Sequence, residues 1–207
     1  MFNSSGSRPL LAGLMLSFTA AAGVACPAVP SAVKELEIPR YYWDAAGTVV
    51  DVRLKAQYDA AVAPLVGFVR EVTGQADAAL KSAEPEKRKA SAQCAMSWID
   101  AWARGDAWLG PRITQQGEYQ RKWDLGGVAL AYVKVRSQAT PEQRRVIEPW
   151  LTRVADAARG FFDDRDRKRN NHWYWLGLGL GGVALATGKD KFWVTAQVAV
   201  PCTKLDL

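Results

Sequence analysis

Apolar residues recur along this chain at helical spacing from Val50 onward. Leu54, Tyr58, Ala61, Leu65, Phe68 and Val72 alternate by four and three, which lays them on one stripe of a helix. Pro64 interrupts that stripe and predicts a break or kink. Gly74 and the run Lys81 to Pro85 predict a connection, with Ser82 a candidate cap. A second helix, from about Glu86 to Leu109, presents Ala92, Ala95, Met96, Ile99, Trp102 and Ala103 on one face, and Gly110-Pro111 ends it. A third, from about Tyr119 to Ser137, turns Leu125, Val128, Ala129 and Tyr132 inward. The sharpest start is that of the fourth, where Thr140-Pro141-Glu142-Gln143 places Thr as N-cap, Pro at N1 and Gln at N3. Its stripe is Ile147, Trp150, Leu151, Val154, Ala158 and Phe161. A fifth helix runs to Thr187, where Gly188 stops it. It is apolar nearly all round, which predicts an inner, buried helix. Its glycines at 177, 179, 181 and 182 lower helix propensity but permit close packing. No period-two strand of any length is present, so the pattern predicts an all-α fold of antiparallel helical hairpins.

Composition narrows the class. The 207 residues suit one domain, and 49% apolar with 23% charged residues is the balance of a globular protein. The first 25 residues read as an export signal: Arg8 precedes an apolar stretch from Leu10 to about Val24, and Gly23-Val24-Ala25 suits cleavage before Cys26. The same residues resemble a lipoprotein box, with Gly where a larger aliphatic residue is usual, so release into the periplasm is the preferred expectation over lipidation. Beyond this segment no apolar run is long enough to span a membrane. The formal charge is +6, and +5 without the signal, because Arg8 is its one charged residue. A modest positive balance fits a polyanionic ligand. Nucleic acid is not expected, since no helix-turn-helix, zinc or RNA-recognition pattern occurs and the basic residues are interspersed with acids. One histidine and three cysteines without ligand spacing predict no metal site.

Two stretches carry candidate chemistry. Arg169-Asn170-Asn171-His172-Trp173-Tyr174-Trp175 holds the only histidine, two adjacent amides and three aromatics at the start of the fifth helix. With Asn170 as N-cap, Asn171 and His172 fall in the first turn, where free N–H groups and the helix dipole favour a bound anion and disfavour imidazolium. A neutral imidazole there could take a proton beside a bound carboxylate. The bland alternative is ordinary capping and a satisfied core histidine. Near the N-terminus, Arg40-Tyr41-Tyr42-Trp43 is a sugar-stacking platform if exposed and a plug if buried.

Asn-Asn-His-x-Tyr-Trp opening a helix resembles the signature of the alginate lyases of polysaccharide lyase family 5, periplasmic poly(β-D-mannuronate) lyases. Residues 94–107, Cys-Ala-Met-Ser-Trp-Ile-Asp-Ala-Trp-Ala-Arg-Gly-Asp-Ala, and 119–126, Tyr-Gln-Arg-Lys-Trp-Asp-Leu-Gly, resemble the same family, and the likeness covers roughly residues 26 to 193. The resemblance implies an incomplete α/α toroid with a deep cleft, a lyase acting on an anionic polysaccharide, and no cofactor. Asn171 would neutralise the C6 carboxylate of a uronate; His172 would be the base that removes the C5 proton, or a second neutraliser. Gln116 and Trp123 match residues that line the family's cleft. A mobile lid bearing a basic residue and a tyrosine makes Arg40 and Tyr42 candidates. Arg121 and Lys122, beside Gln116 and Trp123, could meet substrate carboxylates, but solvated surface is the preferred reading for each, and packing is that for Tyr174. The family's cysteine placement also suggests a Cys26–Cys94 pair, with Cys202 left over. Residues 194–207 diverge from the family, whose tyrosine and arginine follow the Asn-His helix. The alternative to an active lyase is therefore a polyuronate-binding helical protein without the catalytic tyrosine, its apolar inner face left open.

Overall fold

The structure is a computed structural model describing residues 26–163 and 171–199, the side chains of residues 194 and 197–199 excepted. The signal segment, Asn170, Cys202 and the end of the divergent tail lie outside the described residues. Helices α1 (Val52–Lys81), α2 (Pro85–Arg104), α3 (Gln115–Val135), α4 (Pro141–Phe162), α5 (Asn171–Thr187) and α6 (Asp190–Ala199) follow one another, with a 3-10 turn at Arg136–Gln138. Neighbours in sequence pack as neighbours in space, as connections of a few residues require.

The predicted faces are the buried ones. Leu65, Phe68 and Val72 of α1, and all six stripe residues of α2, lie in one continuous core with Leu125, Val128, Ala129 and Tyr132 of α3. The capping box of α4 forms as expected: Gln143 N–H donates to Thr140 Oγ1 at 3.2 Å, and Thr140 N–H to Gln143 Oε1 at 3.0 Å.

Three expectations are corrected. Pro64 does not break α1, and Gly74 does not end it; the helix runs unbroken over 30 residues. Pro64 is exposed, as is Ala60, so the carbonyl that the missing N–H leaves free faces water. The second helix ends at Arg104 rather than Leu109, because Asp106 and Trp108 turn the chain with φ of 50° and 64°. A bulky residue held at positive φ is strained, and Trp108 is held by burial against Phe68, Trp102 and Trp150. Finally, α5 is not buried all round. Trp173, Leu176, Leu180 and Val183 face the core, while Tyr174, Trp175, Leu178 and Leu185 form an exposed stripe.

An extended strap, residues 26–38, ties the first half together. Cys26 and Cys94 are bonded, with Cα atoms 5.4 Å apart. Along α2, the indole N–H groups of Trp98 and Trp102 donate to the carbonyls of Pro27 and Pro30 at 3.1 and 3.0 Å. The strap then pairs with the connector to α3: Trp108 N–H donates to Val33 O, Gly110 N–H to Lys34 O, and Leu36 N–H to Arg112 O, all within 3.0 Å. The approach is close enough that a Cβ on Gly117 would stand 2.2 Å from Leu36 O.

Two stability outcomes follow. Reducing the Cys26–Cys94 bond, which spans 68 residues of sequence, is expected to cost about 4 kcal/mol by chain entropy. A denaturant midpoint unmoved by reductant would contradict this. Gly117→Ala should lose about 1–3 kcal/mol by overpacking the strap, whereas Gly74→Ala, with open space around it, should gain about 0.5–1 kcal/mol. Thermal melts of the two variants should therefore move in opposite directions.

Candidate active site

Helix α3 is one wall of the site, and the strap positions it. Thr114 caps α3, its hydroxyl accepting from Gly117 N–H at 3.1 Å and donating to Ile38 O at 2.7 Å. Glycines then let α5 lie close against this wall: a Cβ on Gly179 would touch Gly126 N and Lys122 O at 3.4 Å, and one on Gly182 would meet Ala129 at 3.0 Å. That close approach brings the first turn of α5 onto the first turns of α3.

His172 therefore stands in an aromatic box. Its ring stacks on Tyr119 with centroids 4.3 Å apart and planes 19° apart. Trp123 lies at 5.8 Å, and Phe162, at the end of α4, at 6.4 Å. Burial holds the imidazole below the usual histidine range, and the nearby Lys122 charge lowers it further. Asn171, the first residue of α5, is exposed directly before it. Lys122 is fully buried, with Nζ 3.6 Å from the Trp123 centroid and 3.1 Å from Tyr119 O. Burial outweighs the attraction of Asp124 and pulls this ammonium down to about 7.

A second line of polar groups runs along α3 beside the box. The Tyr58 hydroxyl of α1 reaches Gln120 Oε1 at 3.5 Å, and Gln120 Nε2 donates to Asp124 Oδ1 at 2.8 Å. Burial pushes the Asp124 carboxyl up to about 7, against the hydrogen bond from Gln120 and the charge of Lys122. Burial likewise raises Tyr58, and a hydrogen bond with Gln116 opposes it. Tyr41 packs tilted against Tyr58 at 4.7 Å, and the hydroxyls of Tyr41 and Tyr42 share a hydrogen bond at 3.1 Å. The bond to Tyr42, followed by burial, pushes Tyr41 up to about 12.

Of the residues singled out in the sequence, His172 and Trp123 meet directly, and Gln116 and Tyr42 join the same wall through Tyr58 and Tyr41. Arg40 does not. It is exposed, and its guanidinium bonds the carbonyls of Asp44 and Ala45 in its own turn. Arg121 and Lys122 are buried rather than solvated: Arg121 pairs with Glu118 and donates to Trp108 O at 3.3 Å. Tyr174 faces away from the box, but it is 56% exposed rather than packed. Tyr119, Gln120 and Asp124 were not singled out. Their signal was present, since Gln116, Gln120 and Asp124 repeat every four residues, as do Tyr119 and Trp123, marking one polar and one aromatic stripe on a single helix. Among the described residues, no group of three or more His, Cys, Asp or Glu side chains could hold a metal ion, and no helix is long and apolar enough to cross a membrane.

Comparison with known proteins places this geometry in a family. The chain is 41% identical over 198 residues to a polysaccharide lyase of Stenotrophomonas maltophilia (strain K279a), covering 93% of this chain and 59% of the relative. It is 30% identical over 141 residues to an alginate lyase of Azotobacter vinelandii (strain DJ / ATCC BAA-1303), covering 64% and 37%. The fold matches a solved variant of alginate lyase A1-III complexed with tetrasaccharide at a TM-score of 0.68 and 25% identity, over 84% of this chain and 48% of that one. This chain thus spans between about a third and three fifths of these relatives. The helical hairpins form part of the α/α toroid of those lyases. Because the alginate lyase family model also matches residues 36–202, the greater part of the sequence, this chain belongs to the alginate lyase family.

Proposed function

We propose that this chain cleaves mannuronate-rich polyuronate by β-elimination in the periplasm, where its N-terminal segment directs it. The observation that carries this reading is a half-buried imidazole, biased toward its neutral form, standing beside the exposed amide of Asn171 at the start of a helix. Elimination from a uronate removes the C5 proton, forms the C4–C5 double bond with that electron pair and breaks the bond from C4 to the glycosidic oxygen, which leaves with a proton. Asn171 donates to the C6 carboxylate, which makes the C5 proton more acidic. His172 accepts that proton, and a base held neutral is ready to do so. Trp123 and Gln116 give the sugar ring an apolar face and an amide, while Tyr42 approaches from the N-terminal segment, where Arg40 stays bonded within its own turn.

The bound polymer is anionic, and the amide and helix start at Asn171 suit its carboxylates. Polyuronate binding without cleavage is the second reading. Its support is that Tyr119 turns its ring face to His172, and its hydroxyl lies 2.9 Å from Gln115 Nε2 and not against the imidazole.

Cleavage should appear as rising ultraviolet absorbance of the unsaturated uronate when the chain meets polymannuronate. His172→Ala should lower the initial rate by about 10²-fold or more, and Asn171→Ala by about 10²–10³-fold. No rise in the native chain, with polymer still retained on an affinity gel, would leave the binding reading standing.

The pH profile carries a sign. His172 works deprotonated and its folded-state value is lowered, so the acid limb of the rate should fall below the range in which an ordinary histidine titrates. An acid limb at or above that range would remove His172 from the role of base.

A further inference from the structure

The aromatic box contains a buried cation that the proposed elimination does not use. Lys122 has no exposed surface. Its Nζ donates to Tyr119 O at 3.1 Å, and it lies over three rings: Trp123 at 3.6 Å, Tyr119 at 5.3 Å and Phe162 at 5.5 Å. Those are the three rings that surround His172. Deep burial of an ammonium is unfavourable unless something compensates it, and here one carbonyl and three π faces take that part.

We propose that Lys122 is a positioning residue for His172: its buried side chain clamps Tyr119, Trp123 and Phe162 into the box that holds the imidazole and excludes a second cation from it. The inference deepens the proposed function, resting on His172 as the base of that site. A longer aliphatic residue could fill the same space, but only a cation can bind the ring faces electrostatically and repel a proton from the neighbouring imidazole. The helices around the box bring few competing charges among the described residues. From α3 come Tyr119, Asp124 and the Glu118–Arg121 pair; Asp163 follows α4; Tyr58 comes from α1, with Lys55 over its outer ring; and Tyr174, on α5 itself, faces away. Asp124 is the acid whose attraction acts on Lys122, and burial outweighs it.

The chain holds a single histidine, so its imidazole C–H resonance reports this site without assignment ambiguity. An NMR titration of the native chain should show two inflections at that resonance: its own, below the ordinary histidine range, and a second near pH 7, where Lys122 and Asp124 both titrate. In Lys122→Met, which keeps the length and loses the charge, the first inflection should rise by about one pH unit. Lys122→Arg, which keeps the charge, should retain the low first inflection. A single native inflection at the ordinary histidine position, or equal rises in Met and Arg variants, would overturn the proposal. The native titration stands even if neither variant folds. Because it reads protonation and not turnover, a chain that fails to cleave polymer can still pass or fail it.

Discussion

Everything at the site depends on how closely α5 can approach α3. Side chains normally hold packed helices 8–10 Å apart, and the glycines at 126, 179 and 182 remove the groups that would keep these two at the upper end of that range. Without that contact His172 would have no stacked neighbour, and Trp123 would be an isolated indole on a helix face. The cost is borne by α5 itself, whose glycines weaken its intrinsic helicity. Tertiary packing along Trp173, Leu176, Leu180 and Val183 supplies what propensity does not.

The strap is the second constraint, and it acts on α3 from the other side. A disulfide, two indole N–H bonds and a short ladder to the connector anchor residues 26–38 between α2 and the start of α3. The connector must then turn with Asp106 and Trp108 at positive φ. Burial of Trp108 among three aromatic rings offsets that strain, so the bend that orients α3 is secured by the core. The Cys26–Cys94 pair, suggested in the sequence by family likeness, is the covalent end of this arrangement.

Electrostatics inside the box run opposite to those at a solvated surface. Lys122 and Asp124 lie two residues apart with opposite charge, yet each is shifted toward its neutral form because desolvation exceeds their mutual attraction. Asp124 Oδ2 has no hydrogen-bond partner among the described residues, which fits a carboxyl that holds its proton more tightly than usual. His172 follows the same rule. Its imidazole is biased toward the neutral form mainly by burial and only secondarily by a neighbour's charge.

Local pattern alone determined the helices, their inward stripes, the capping box at Thr140 and the Asn-Asn-His element, because period and capping depend on residues a few positions apart. Family likeness added the toroid, the roles expected of Asn171 and His172, and the candidates Trp123 and Gln116. What periodicity missed was which side of a polar stripe is dry. Arg121 and Lys122 read as surface residues in sequence, and α5 read as buried nearly all round. Burial is decided by what other elements bring: α4 delivers Phe162, α1 delivers Tyr58, and the glycine contact delivers α5. Pro64 illustrates the same division. Its presence was plain in the sequence, but only the tertiary structure, by leaving Ala60 and its carbonyl on the wet side of α1, decided that the helix would continue through it.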